Sequence, residues 1–492
     1  MNPDISSSDM GMEMEMYEVA DSSFVMNGID IGSQNSNDDT TAEVEPLTEE
    51  KHVPSFCLKN KRGLCCFLAY DDPPKLTQNQ WSILAIAGIS NLFRSYDGLV
   101  STVAVSQIQE DLHISEEDIG LVYAAVRFGI VPALLVAMLS DIHGRRKVLL
   151  ISTGIYIVFT SSTGFTTNLN QFIGFQFIAK MFSSVQNTVY SVLILEALND
   201  ENRGWAIGLY QSFSAFGGSI ALMLFAVFGG FRWGWRVMYI VSFTELFLLR
   251  YMYRNLPESG IIMKAWAETV HVEERLPVNS LSLFREAVLS NLKPVYLLFL
   301  SYPKRFLGCT TIAAIDGFAT APADLFKIKF MQELHGLSPH DISMIIFVSG
   351  VGAILCFTLA GKLSDKYGRK PLLIGFKTLL TASIVLYYTV PGKWFIVFLI
   401  LIMQSTFVLA TVSATYFGEC FPTSFRSTAI AWLGVVFTLS GSLGLVAEKQ
   451  LFLVVGDHYI ASACFASIGI FSIPVLVFML PETAGYNLET VS

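Results

Sequence analysis

The first 50 residues contain no Lys or Arg, although they hold thirteen Asp or Glu. A segment so polar and so one-sided in charge buries too little apolar surface to offset the entropy of ordering, so it is expected to be a disordered acidic tail. It also lacks a basic start followed by an apolar stretch, which argues against a secretory leader and leaves insertion to the first membrane helix. Cysteine is scarce, seven in 492 residues, with no CxxC or Cys/His spacing, so neither a metal site nor a disulfide framework is expected. The absence of a GxxxxGK[ST] loop argues against direct ATP drive. Without a nucleophile, base and oxyanion arrangement, an enzyme is the least expected class, and no cofactor or nucleic-acid partner is anticipated. Charged residues make up only 15% of the chain against 52% apolar residues, more apolar surface than one soluble core can hide. Lipid is the expected solvent.

The apolar residues fall into blocks of about 20, the length a helix needs to cross the hydrocarbon layer. Twelve such blocks are placed near Trp81 to Ser106, Ile119 to Leu139, Val148 to Thr166, Gln171 to Leu198, Gly204 to Phe228, Trp235 to Asn255, Phe306 to Phe326, Ile342 to Leu363, Leu372 to Val390, Trp394 to Gly418, Ala429 to Val446 and His458 to Leu480. Before the first, Lys59, Lys61 and Arg62 flank Cys65 and Cys66, a setting for anionic lipid and for acylation of the thiols, or an ordinary basic flank. The stretches Gln107 to Asp118 and Thr166 to Gln171 carry no Lys or Arg, whereas Arg145, Arg146 and Lys147 follow the second span and Lys362, Lys366, Arg369 and Lys370 surround the end of the eighth. The basic side is expected to be cytoplasmic, with Arg232 and Lys327 as exceptions, and an even number of spans puts both termini there. A plasma membrane and an organelle membrane fit equally. Trp233, Trp235 and Trp394 at span ends read as interfacial anchors.

The chain repeats itself. Leu139-Ser-Asp-Ile-His-Gly-Arg-Arg-Lys147 aligns with Leu363-Ser-Asp-Lys-Tyr-Gly-Arg-Lys370 at an offset of 224. Within one residue of that offset, Ser115 and Asp118 answer to Ser338 and Asp341, Glu196 and Arg203 to Glu419 and Arg426, and Leu256-Pro-Glu-Ser259 to Leu480-Pro-Glu-Thr483. Trp81 answers to Arg305, which sets the start of span seven at Phe306. The expected fold is an all-α polytopic membrane protein of about 12 transmembrane helices in two pseudo-symmetric six-helix bundles enclosing a solute path. The expected boundaries are an acidic tail with basic flank at 1–79, bundles at 80–256 and 294–481, a cytoplasmic linker at 257–293 and a short tail at 482–492.

The duplicated Ser-Asp-x-x-Gly-Arg-[Arg/Lys] sequence resembles the signature of the major facilitator superfamily. The Pro-Glu-[Ser/Thr] sequence closing each half resembles its sugar-porter branch and related organic-ion transporters. The resemblance covers about residues 80 to 490, with departures: Ala137 replaces the usual Gly that Gly361 keeps, and span seven has no paired-Gln stretch. Gln211 is similar to the family's span-five Gln, while Ser214-Ala-Phe-Gly-Gly218 lacks the Pro expected of a drug antiporter.

Asp141, Arg145, Arg146, Glu196, Arg203 and Glu258, with Asp365, Arg369, Glu419, Arg426 and Glu482, sit at the basic ends of helices as carboxylates and guanidiniums at repeated spacing. Such groups cap helix termini and pair across neighbouring helices, so they are expected to form a cytoplasmic gate. Arg94, Asp97, Arg127, Lys180 and Glu245 fall inside the first-half spans, where unpaired charge costs roughly 2.5–3.5 kcal/mol each. They are expected to line the path or to pair, Asp97 with Arg127 in first place and Glu245 with Lys180 in second. Shifted by the repeat, Arg127, Lys180 and Glu245 meet no charge, so this ionic chemistry is assigned mainly to the first half, with Asp316 and Trp432 as second-half candidates.

The expected function is secondary transport of a small polar organic solute by alternating access. Protons and the bilayer are the further partners, Asp97 is the proton carrier with Glu245 in reserve, and a sugar is mildly favoured. An organic-anion transporter using Arg127 and Lys180, an uncoupled facilitator and a transporter-like nutrient receptor remain open alternatives.

Overall fold

A computed structural model describes residues 76–198, 200–257, 293–422 and 426–483. Cys65, Cys66 and Glu258, most of the expected linker and nearly all of the acidic tail lie outside these residues, as do the side chains of Asp141, Arg203 and Asp365. The first half contains α1 (Gln78–Val103), α2 (Val105–Asp111), α3 (Ile119–Arg127), α4 (Ile130–His143), α5 (Arg145–Thr163), α6 (Leu169–Ala197), α7 (Asp200–Phe228), α8 (Gly234–Val241) and α9 (Glu245–Asn255). After a helical stretch at 293–301, the second half contains α10 (Pro303–Glu333), α11 (Pro339–Tyr367), α12 (Arg369–Thr389), α13 (Phe395–Glu419), α14 (Arg426–Val455), α15 (His458–Ile468) and α16 (Ser472–Met479). Seven helical segments among the described residues are long and apolar enough to cross a membrane by length and composition alone.

Local chemistry sets the helix ends. Thr77 and Gln80 form a reciprocal capping box at the start of α1, the Thr77 hydroxyl accepting from the Gln80 amide and the Gln80 side chain from the Thr77 amide. Ser338 caps α11 by accepting from the Asp341 amide at 3.2 Å. Span six is divided into α8 and α9 by a 3₁₀ turn over Ser242–Thr244, and span twelve into α15 and α16 by one over Gly469–Phe471. Span seven starts three residues earlier than expected, at Pro303, so Lys304 and Arg305 occupy its first turn; proline at that position loses no helical hydrogen bond. Trp235 corrects another expectation. It is fully buried, with Nε1 donating to Asp111 Oδ2 at 3.2 Å, whereas Trp233 and Trp394 are exposed at span ends.

The tightest packing occurs between α1 and α7 and between α10 and α14, the same pair of spans in each half. Both crossings use glycine to bring backbones together. A Cβ on Gly217 would strike the Leu92 carbonyl, and one on Gly444 the Phe318 carbonyl. Two first-half core clusters and one second-half cluster surround these crossings, with the largest apolar cluster spanning both halves at one end of the bundle.

Candidate functional site

The duplicated motif builds the same device twice on one face, called the signature face below. Gly144 has φ 92° and ψ 140°, and Gly368 φ 93° and ψ 149°, a conformation that only glycine adopts readily. Each glycine ends one helix and turns the chain into the next, placing an arginine at its first position. Arg145 pairs with Glu196 at 2.6 Å, and at the repeat-related position Arg369 pairs with Glu419. Arg146 donates to the Tyr253 carbonyl at 2.7 Å, while Lys370 donates to the Val477 carbonyl at 2.8 Å, again 224 residues on. Glu482 accepts from the Arg369 and Lys370 backbone amides at 3.0 and 3.1 Å, placing a carboxylate at the positive end of α12. Arg426 donates from Nε to the Gly418 carbonyl at 2.8 Å. The polar contacts described for these groups each lie within one half.

At the opposite face the contacts cross between halves. Lys329 Nζ on α10 donates to Glu116 Oε2 at 2.5 Å and Gln109 Oε1 at 2.6 Å. Lys449 Nζ on α14 donates to Asp118 at 2.6 Å, and His458 Nε2 lies 2.9 Å from the Glu116 carbonyl. Ser343 on α11 donates to the Leu222 carbonyl near the same end. These contacts between the halves all lie toward this face. The conformation is therefore latched at this face.

The interior charges lie between these faces. Asp97 on α1 is 5% exposed and its Oδ1 has no hydrogen-bond partner among the described residues. Its charged neighbours are Lys180 on α6 and Glu245 on α9, the latter fully buried with both carboxylate oxygens unpartnered among the described residues. Arg127 is not its partner, which corrects the first-place pairing. Arg127 extends toward α14, its Nη1 3.4 Å from where a Gly441 side chain would begin, and the carboxylate it senses is Asp324. The second-place pairing does not form either, since Glu245 senses Asp97 rather than Lys180. Arg94 Nε donates to Asn91 Oδ1 at 3.0 Å and stays half-buried without a carboxylate among the described residues. Gln211 is exposed on α7, and Trp432 is held by a bond from Nε1 to Thr310 at 3.1 Å and by stacking on Phe306.

Asp316 pairs with Lys377 of α12, which also donates to Ser472 at 3.3 Å. Interior ionic chemistry therefore belongs to both halves. Lys377 escapes the sequence reading because the repeat comparison follows first-half charges into the second half, and the first-half counterpart of Lys377 is the uncharged Thr153. A lysine in the middle of an apolar span is the signal that could have found it.

The family model of the Major Facilitator Superfamily matches residues 85–303 and 306–490. The chain belongs to this superfamily. It is similar to the putative niacin/nicotinamide transporter NiaP of Bacillus subtilis (strain 168), 24% identical over 372 residues that cover 74% of this chain and 87% of that one. It is also similar to the benzoate transport protein of Acinetobacter baylyi (strain ATCC 33305 / BD413 / ADP1), 23% identical over 445 residues covering 86% and 94%. The crystal structure of a D-xylose-proton symporter superposes with a TM-score of 0.64 at 18% identity, covering 82% of this chain and 99% of that one, and shares the fold. As a member of the superfamily, the chain is a multi-pass membrane protein and a secondary transporter of small molecules, not an enzyme.

Proposed function

We propose that the chain carries a small organic carboxylate together with protons, with Arg127 and Lys180 as the anchors for the solute and Asp97 as the proton carrier. One observation carries this reading. Arg94, Arg127 and Lys180 are half-buried inside the spans, and none forms an ion pair among the described residues. Such charges cost roughly 2.5–3.5 kcal/mol each in a membrane, a cost that an arriving carboxylate offsets and an uncharged sugar does not. Arginine in addition presents a planar fork that matches a carboxylate with two parallel bonds. Two relatives are named for compounds of this class, since niacin and benzoate are small aromatic carboxylates.

Coupling follows from the neighbours of Asp97. A carboxylate that recruits Lys180 leaves Asp97 beside the buried Glu245 without its cation, which favours proton uptake there. Solute and proton then assist each other's binding, the condition for symport. Glu245, sealed from cations, is second in line as carrier. In this proposal the signature face is cytoplasmic, as are both termini, and the structure is the inward-facing state.

Counterflow in proteoliposomes with labelled benzoate, nicotinate, xylose and inositol tests the substrate class. The expected result is exchange of a carboxylate, reduced about tenfold or more in Arg127→Gln through loss of a charge-assisted contact. Exchange of xylose or inositol alone would return the assignment to a sugar path through Gln211 and Trp432.

A further inference from the structure

The latch at the opposite face contains a histidine whose hydrogen bonds specify its proton count. His458 is 6% exposed, stacked between Phe326 at 4.3 Å and Phe452 at 3.9 Å between ring centroids. Its Nδ1 lies 2.7 Å from Glu448 Oε1 and its Nε2 2.9 Å from the Glu116 carbonyl oxygen. A backbone carbonyl only accepts, so Nε2 must carry hydrogen. The bond at Nδ1 then needs a second hydrogen, on the ring or on the carboxyl. Neutral histidine beside ionised Glu448 would set a lone pair against a carboxylate oxygen, so the pair holds one proton more than those two forms together.

Its surroundings also ask for that proton. Glu448 is fully buried, its Oε2 has no hydrogen-bond partner among the described residues, and a side chain at Gly120 would begin 3.0 Å from that oxygen. From the turn before α3, Glu116 brings its carboxylate within 3.6 Å of His458. From α10, Lys329 reaches Glu116 at 2.5 Å and Glu333 at 3.4 Å. On α14 Lys449 is engaged by Asp118 at 2.6 Å, α12 contributes Tyr388 near Glu448, and α15 itself adds Tyr459, bonded to Glu333, and the N-cap Asp457. Lys329 therefore serves Glu116 and Glu333, and among the described residues Glu448 is paired with His458 alone.

We infer that His458 and Glu448 form a proton-binding site that locks the opposite face, closing it when the pair is protonated and releasing it when the proton leaves. Deprotonation turns the Glu448 contact repulsive and, through rotation of the ring, removes the bond that ties α15 to the Glu116 backbone in the other half. The site takes its proton from the compartment it faces and returns it there. It acts as a gate, distinct from Asp97 as carrier, and rests on the alternating-access reading without depending on which solute is carried.

The test is a distance measurement between spin labels at Glu110→Cys and Leu334→Cys, both exposed near this face, in the full chain with its native cysteines replaced and no solute present. Raising pH from about 5.5 to about 8.5 is expected to increase the open-to-closed ratio about tenfold. In E448Q the amide donates to Nδ1 as a protonated carboxyl would, so the face is expected to stay closed and vary less than about twofold over the same range. H458F, the second variant, is expected to be open at both ends of the range. A distance distribution that ignores pH in the parent protein, or a response that survives in E448Q or H458F, overturns the inference. Because no solute enters the measurement, its failure is separate from failure of the carboxylate proposal.

Discussion

The two faces of the molecule are held by different kinds of contact. At the signature face the same glycine conformation, Arg–Glu pair and cation-to-carbonyl bond appear twice, each within its own half. At the opposite face Lys329, Lys449 and His458 each make a contact found once, and each reaches into the other half. Duplication preserved what makes a six-helix half stable. The latch between the halves rests on residues that differ between them.

The largest effect is expected from striking both copies of the duplicated device. Gly144→Val and Gly368→Val each force a β-branched residue into a conformation that costs it about 1–3 kcal/mol or more. Both are expected to lose most of the folded, monodisperse protein on size-exclusion chromatography, to a similar degree. A large loss from one and none from the other would show that the halves are not equivalent. Next in size, Lys329→Met removes the buried cation of the latch and leaves Glu116 facing Glu333. Labelling of an opposite-face cysteine by a membrane-impermeant maleimide is expected to rise about tenfold, because a few kcal/mol separates such states. Unchanged labelling would mean that apolar packing alone holds that face. The smallest effect is expected from Glu482→Gln, which keeps the shape at the start of α12 but removes the charge, costing about 1 kcal/mol read as a lower melting temperature without a change in labelling at either face.

The division into two faces also explains what is legible in the sequence. Span positions follow from apolar length, and the signature-face device from short motifs repeated at one offset, so the residues themselves point to Arg145, Glu196, Arg369, Glu419 and Glu482. Of the latch residues the repeat marks Asp118, but not its partner Lys449. Lys329 and Glu116 are 213 residues apart and His458 and Glu116 are 342 apart, and no repeat or local spacing announces either contact. Their pairing depends on how the halves dock. The interior is legible in part, since depth along a helix locates Asp97, Arg127, Lys180 and Glu245. Depth does not fix the direction of a side chain around the helix axis, which is why it suggests Arg127 as the partner of Asp97 although Lys180 stands nearer in effect. His458 reads only as the start of span twelve, because a histidine at a helix end carries no signal until its partners are known.

The central claim is that solute movement is tied to a proton held at Asp97. The most direct measurement is uptake of a labelled aromatic carboxylate into proteoliposomes with and without an imposed pH gradient, in the parent protein and in Asp97→Asn. Accumulation against a concentration gradient, driven by the pH difference, is expected in the parent, and in Asp97→Asn only exchange that ignores it. Equal uptake by both proteins, blind to the gradient, would rule out proton coupling through Asp97 and leave a facilitator in which Asp97 is structural.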